Sequence, residues 1–77
     1  MEIKVLFFGV LAEVTDTMFR HYRNVESFSD LMLRIRDDYP TIAHYTYRVA
    51  VNNEIVNEEP QLRDQDEVAL MPPFTGG

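Results

Sequence analysis

The 77-residue sequence closes with Met71-Pro72-Pro73-Phe74-Thr75-Gly76-Gly77, and the α-carboxylate of Gly77 is its candidate reactive group. Two residues without Cβ fit a slot too narrow for any side chain, and they reach φ values closed to other residues. Pro72 and Pro73 act in the opposite sense. Their fixed φ and missing N–H groups end a strand at Met71 and hold the following residues extended, away from the body. The competing reading of Gly76-Gly77 is an ordinary frayed terminus with no role. Other chemistry is thinly represented. Without cysteine there is no thiol nucleophile, thiolate metal ligand or disulfide. There is no glycine-rich phosphate loop, and His21 and His44 do not stand at ligand spacing, so both read as surface or edge residues.

Composition narrows the partner classes. A formal charge of −6, with Lys4 as the single lysine, disfavours nucleic acid, because phosphate binding needs a clustered positive surface. The same charge either selects a partner that is basic around its docking site or simply keeps a small domain soluble. The opening Met1-Glu2-Ile3-Lys4 lacks the regions of a signal peptide, and no apolar run is long enough to span a bilayer. The expectation is a cytoplasmic protein with neither membrane nor nucleic-acid contact. Seventy-seven residues make one domain, near the size at which a single core barely outweighs chain entropy.

The elements that must position the tail follow from periodicity. Residues 3–8 alternate Ile3, Val5, Phe7 against Lys4, Leu6, Phe8, a strand with Lys4 marking the solvent row. After Gly9, residues 10–14 suit one helical turn and Thr15-Asp16-Thr17 a turn. Residues 18–23 read as a second strand, hairpin-paired to the first, with its inward face undetermined. Asn24 is the expected N-cap of a helix from Val25 to about Asp38. Its apolar stripe is Phe28, Leu31, Met32 and Ile35, and Pro40 stops it. Residues 41–47 have no clean period. Residues 48–51 and 54–56 flank Asn52-Asn53, a two-residue hairpin turn that sets Ala50 opposite Ile55 and Val49 opposite Val56. Residues 67–71 form the last strand. One helix across a mixed sheet is an α+β roll, with the first and last strands parallel neighbours.

Taken together, Ile3-Lys4-Val5-Leu6-Phe7-Phe8-Gly9, Val49-Ala50-Val51-Asn52, Leu62-Arg63-Asp64-Gln65-Asp66-Glu67-Val68-Ala69 and Pro72-Pro73-Phe74-Thr75-Gly76-Gly77 resemble the small subunits of molybdopterin synthase, ubiquitin-like sulfur carriers. The likeness spans the whole chain. It implies a β-grasp (ubiquitin-like) fold, with residues 1–72 as the domain and 73–77 as an extended tail. It departs at Asp16, where many relatives carry glycine; Asp tolerates left-handed conformations better than most residues. The resemblance also implies a mechanism. An adenylyltransferase resembling ubiquitin-activating enzymes spends ATP to join Gly77 to AMP, and the acyl adenylate accepts sulfur to become a thiocarboxylate. The tail, Phe74, Thr75, Gly76 and Gly77, then enters the large subunit of a heterotetrameric synthase. There its sulfur passes to a pterin precursor of the molybdenum cofactor. No cofactor binds this chain directly in that scheme, and the catalytic groups belong to the partners. The alternatives are a carrier for thiazole, thiamine or another thiolated product, a ubiquitin-like protein modifier, and a binding module with an inert tail.

Alternation also predicts the docking surface. With Lys4 outward, Phe8 faces out; the Asn52-Asn53 turn sets Ile55 outward, and Val68 with Leu70 inward leaves Met71 outward. Phe8, Ile55 and Met71 would gather beside the tail's root as a partner-binding patch, with Phe74 as a further anchor.

Overall fold

Alternation in the first strand decides the architecture. The computed structural model describes residues 1–73, in which Ile3–Phe7 form β1 with Ile3, Val5 and Phe7 buried and Lys4 and Leu6 half-buried. Then come α1 (Val10–Thr15), β2 (Phe19–Tyr22), α2 (Phe28–Asp38), a 3-10 turn (Pro40–His44), β3 (Arg48–Val51), β4 (Glu54–Val56) and β5 (Glu67–Met71). The sheet order is β2-β1-β5-β3-β4. β1 and β5 pair in parallel at the centre, while the β1–β2, β3–β5 and β3–β4 ladders are antiparallel. A parallel pair cannot be joined by a tight turn, and the long connection between β1 and β5 carries α2 across one face.

The core lies between that face and α2. Ile3, Val5, Val68 and Leu70 from the central strands meet Leu31, Met32 and Ile35 from the helix, with Leu11, Val25, Ile42 and Leu62 closing the ends. Phe28, the fourth member of the expected stripe, is partly buried against this cluster. The expected hairpin register is observed, Ala50 opposite Ile55 and Val49 opposite Val56. Asn52 and Asn53 both take positive φ, 49° and 70°, which a two-residue type I′ turn requires. Asp16 likewise caps α1 in the left-handed region, at φ 56° and ψ 33°.

The start of α2 differs from expectation. Asn24 adopts φ 56° in the loop and does not cap a helix. The backbone of Val25 is already committed, its N–H donating to the Met1 carbonyl and its carbonyl accepting from the Met1 ammonium, both at 2.8 Å. That pairing ties the Val25 backbone to Met1 outside any helix, and the helix begins three residues later, at Phe28. Ser27 is the N-cap, its hydroxyl accepting from the Asp30 N–H at 3.0 Å, and the Asp30 carboxylate accepts from the Glu26 N–H at 3.0 Å. Only the forward half of a capping box forms, from the Asp30 N–H to the Ser27 hydroxyl, because the Asp30 carboxylate bonds the residue before the cap; the local signal is Ser27-Phe28-Ser29-Asp30. At the other end Tyr39 caps the helix and Pro40 opens the 3-10 turn, so residues 41–47 are partly helical.

Candidate functional site

The side of the sheet opposite α2 is uncovered among the described residues, and strand pairing fixes its layout because cross-strand partners share a face. Leu6 pairs with Phe19 and Ala69, Ala69 with Ala50, and Ala50 with Ile55. An apolar row, Phe19-Leu6-Ala69-Ala50-Ile55, therefore crosses all five strands. Its ends are open, Phe19 being 50% and Ile55 51% exposed, while Ala50 between them is 4% exposed. A second row lies toward the end of β5. There Phe8, 46% exposed, follows Phe7, the partner of Leu70, and so stands beside Met71, which pairs with Arg48. Phe8 donates its N–H to the Leu70 carbonyl at 3.1 Å, continuing the ladder one residue past β1.

Of the three predicted surface residues, Phe8 and Met71 are brought together at the root of the tail. Met71 is half-buried. Ile55 shares the face but sits on the edge strand, two strands from β5 and in the row of Ala69, so it extends the patch and does not flank the root. Phe74, Thr75, Gly76 and Gly77 lie outside the described residues.

Gly9 is a positioning residue that periodicity missed, reading it only as a break. Its φ of +57° with ψ of −134° is closed to residues with a Cβ, and a Cβ built there would stand 2.8 Å from Cγ of Pro72. The chain thus turns from β1 into α1 while Pro72, at the root of the tail, packs onto the turn. The signal was available as a lone glycine directly after a strand, but nothing local showed that residue 72 would lie against it.

At the far end of the sheet a polar network secures the hairpin turn. The Asn52 amide donates to Asp66 Oδ1 at 2.9 Å, and its carbonyl oxygen accepts from the Glu67 N–H at 3.0 Å. Asp64 accepts from the Glu2 N–H at 2.6 Å, and that bond, with one from the Gln65 amide, lowers its carboxyl below the ordinary value. On the helix side, Arg20 bridges to Asp38 at 2.7 Å, and Tyr22 donates to the same carboxylate oxygen at 2.8 Å. Burial, reinforced by that hydrogen bond, pushes the Tyr22 phenol well above the ordinary tyrosine range. These groups pin β2 to the end of α2 and are remote from the tail's root.

The described residues offer no catalytic grouping. No cluster of three or more His, Asp or Glu is placed to hold a metal among them, and His44 is exposed while His21 stands 3.9 Å from Glu2. A groove of ≈ 470 Å³ between the start of α2 and the segment before β5, touching Met1, Phe28, Glu59 and Leu62, is wide open and lies on the side away from the uncovered face. No helix among the described residues is long and apolar enough to cross a membrane. What the arrangement provides is a five-stranded platform with an apolar uncovered face, at the border of which the tail begins.

Comparisons with known proteins agree with this geometry. The model of the ThiS family matches residues 5–77. The molybdopterin synthase sulfur carrier subunit of Mycobacterium tuberculosis is 33% identical over 82 residues, an alignment covering 100% of this chain and 99% of that protein. Among solved structures, a protein described as molybdopterin converting factor subunit 1 from Pyrococcus furiosus superposes with a TM-score of 0.83 at 19% identity, covering 96% of this chain and 99% of its own. Small archaeal modifier protein 1 from Methanosarcina acetivorans gives 0.81 at 23% identity, with coverage of 99% and 96%. A complex of subunits 1 and 2 of the molybdopterin-converting factor from Helicobacter pylori gives 0.76 at 21% identity, with full coverage of both chains. The fold is accordingly the ubiquitin-like β-grasp.

Proposed function

This chain belongs to the ThiS family, and from that premise we propose that it is the sulfur carrier of molybdopterin synthesis, the small subunit of a molybdopterin synthase. The observation that carries the reading is the delivery of Pro72 from the central strand β5 to the border of the uncovered apolar face, where Phe8 and Met71 meet. A partner that covers this face receives the tail in the same encounter. The whole-length likeness to a carrier subunit of that pathway favours a pterin product over thiazole or another thiolated product.

In this scheme the carboxylate of Gly77 attacks ATP on a separate adenylyltransferase. The products are an acyl adenylate and pyrophosphate. A sulfur nucleophile then displaces AMP, leaving a thiocarboxylate, and the large subunit of the synthase directs that sulfur to the pterin precursor. The contribution of this chain is presentation. Gly76 and Gly77 keep the reacting end slim enough for a narrow channel, Phe74 and Thr75 lie between it and the domain, and the prolines keep the approach extended. The acids, bases and phosphate-binding groups belong to the partners.

The test is ATP–pyrophosphate exchange with the adenylyltransferase of the same organism. Wild-type protein is expected to support exchange, while deletion of Gly77, addition of one alanine after it, or Gly76→Val abolishes exchange and leaves the thermal midpoint unchanged. Normal exchange with the deletion or the extension contradicts Gly77 as the reacting residue. Formation of isopeptide bonds to lysines of other proteins, in place of a thiocarboxylate, would favour the protein-modifier reading.

A further inference from the structure

Charge on the uncovered face is unevenly matched. In the row farthest from the tail, Lys4 pairs across the ladder with Glu67 and stands 4.9 Å from the centre of the Phe19 ring, and His21 lies 3.9 Å from Glu2. The middle row carries no charge. In the row at the tail's root Arg48 is exposed, and its hydrogen-bond partner is the neutral amide of Asn57, Nη2 to Oδ1 at 3.2 Å. Among the described residues no carboxylate forms an ion pair with it. The acids other than Glu2 and Glu67 lie on α1, α2 and the loops, or, for Glu54, on the opposite row of β4. With Glu13, Asp30, Asp37 and Asp38 on helices and Glu54 on the opposite row, the net charge of −6 does not by itself put a carboxylate beside Arg48.

Resting on the docking role proposed above, we infer that Arg48 is the charge-selective contact of the face, meeting a carboxylate on the partner beside the point where the tail leaves the domain. The occupant is then a protein surface that is apolar opposite Phe8, Met71 and the middle row, with an acidic side chain opposite Arg48. A guanidinium suits this place because its planar fork binds a carboxylate with two parallel hydrogen bonds. Enclosure by apolar neighbours removes the water that makes exposed ion pairs weak. Covalent geometry excludes a direct role at the reacting end. Gly77 is six residue steps beyond Met71, roughly 20 Å when extended at ~3.3 Å per residue, several times the length of an arginine side chain. With the tail drawn into a partner, Arg48 stays at the docking surface and touches neither the carboxylate nor the adenylate phosphate.

Calorimetric titration against the synthase large subunit of the same organism, at low and high salt, tests the assignment. Arg48→Glu is expected to weaken binding at least about tenfold at low salt. Arg48→Met, which keeps the apolar stem, should weaken it less and flatten its salt dependence. Both variants should retain the parent's thermal midpoint, because the side chain is exposed. Wild-type or tighter binding by Arg48→Glu, in a series where Phe8→Lys and Met71→Lys lose binding, overturns the role of Arg48 and leaves the docking face intact. Wild-type binding by Phe8→Lys and Met71→Lys as well removes the docking face and the inference with it.

Discussion

The two faces of the sheet are built from the same alternating strands, yet one is sealed and the other uncovered. Ile3, Val5, Val68 and Leu70 are wholly enclosed beneath α2, while their sequence neighbours Leu6 and Ala69 lie on an uncovered surface with Phe8, Phe19 and Ile55 exposed around them. A domain of this size cannot leave much apolar area in water without cost to its own stability. On the docking role proposed above, the difference separates the residues that hold the fold from those that meet a partner, and each class should fail in its own way when altered.

The largest effect is expected on the sealed side. Leu31→Ala or Ile35→Ala removes a fully enclosed side chain and should cost roughly 2–5 kcal/mol in a denaturant titration, a large part of the total for so small a domain. A parental midpoint for either would mean that the helix buries another face. Next comes the junction between the faces. Gly9→Val forces a branched residue into φ +57° and against Pro72, costing on the order of 1–3 kcal/mol in backbone strain. It should also weaken partner binding by displacing the tail's root. Full binding by a folded Gly9→Val protein would detach Pro72 from the site.

On the uncovered side the pattern reverses. Met71→Lys or Phe8→Lys should cost more than about 1 kcal/mol of binding to the large subunit and to the adenylyltransferase, with an unchanged melting midpoint. Phe74→Ala should behave alike, as a further anchor. Neutral binding in all three would place the docking surface elsewhere. The smallest effect concerns pH. Below pH 10 the Tyr22 phenol is neutral folded and unfolded; above it the unfolded chain ionises while the folded one holds its proton, so stability falls as pH rises past 10. Tyr22→Phe should flatten that alkaline limb. A slope equal to the parent's would show that Tyr22 is not the group responsible.

The sealed side was the more legible in the sequence because period-2 and period-3.6 patterns record burial directly. Ile3, Val5 and Phe7 and the stripe of Leu31, Met32 and Ile35 announced their faces, and Asn52-Asn53 set the hairpin register through the positive φ it tolerates. The helix start was misplaced because Asn24 is a good cap by type, but Val25 had prior backbone bonds to Met1, a partner twenty-four residues away. The Ser27-to-Asp30 spacing held the correct answer locally. On the uncovered side alternation gave the right rows, yet it could not place β4 in the sheet, so Ile55 was drawn to the tail's root although β3 separates its strand from β5. Gly9 against Pro72 and the unmatched charge of Arg48 are products of pairing between distant segments. Neither is written in any single window of the sequence.

The central claim is that Gly77 carries sulfur, and one reconstitution tests it most directly. The protein is incubated with the adenylyltransferase of the same organism, ATP and inorganic sulfide, and its intact mass is recorded beside that of the variant lacking Gly77. The account predicts that the wild-type chain gains the mass difference between sulfur and oxygen, that the gain maps to the terminal residue, and that the truncated variant is unchanged. A wild-type mass that stays the same while pyrophosphate exchange is absent, or an equal gain in the truncated variant, contradicts it.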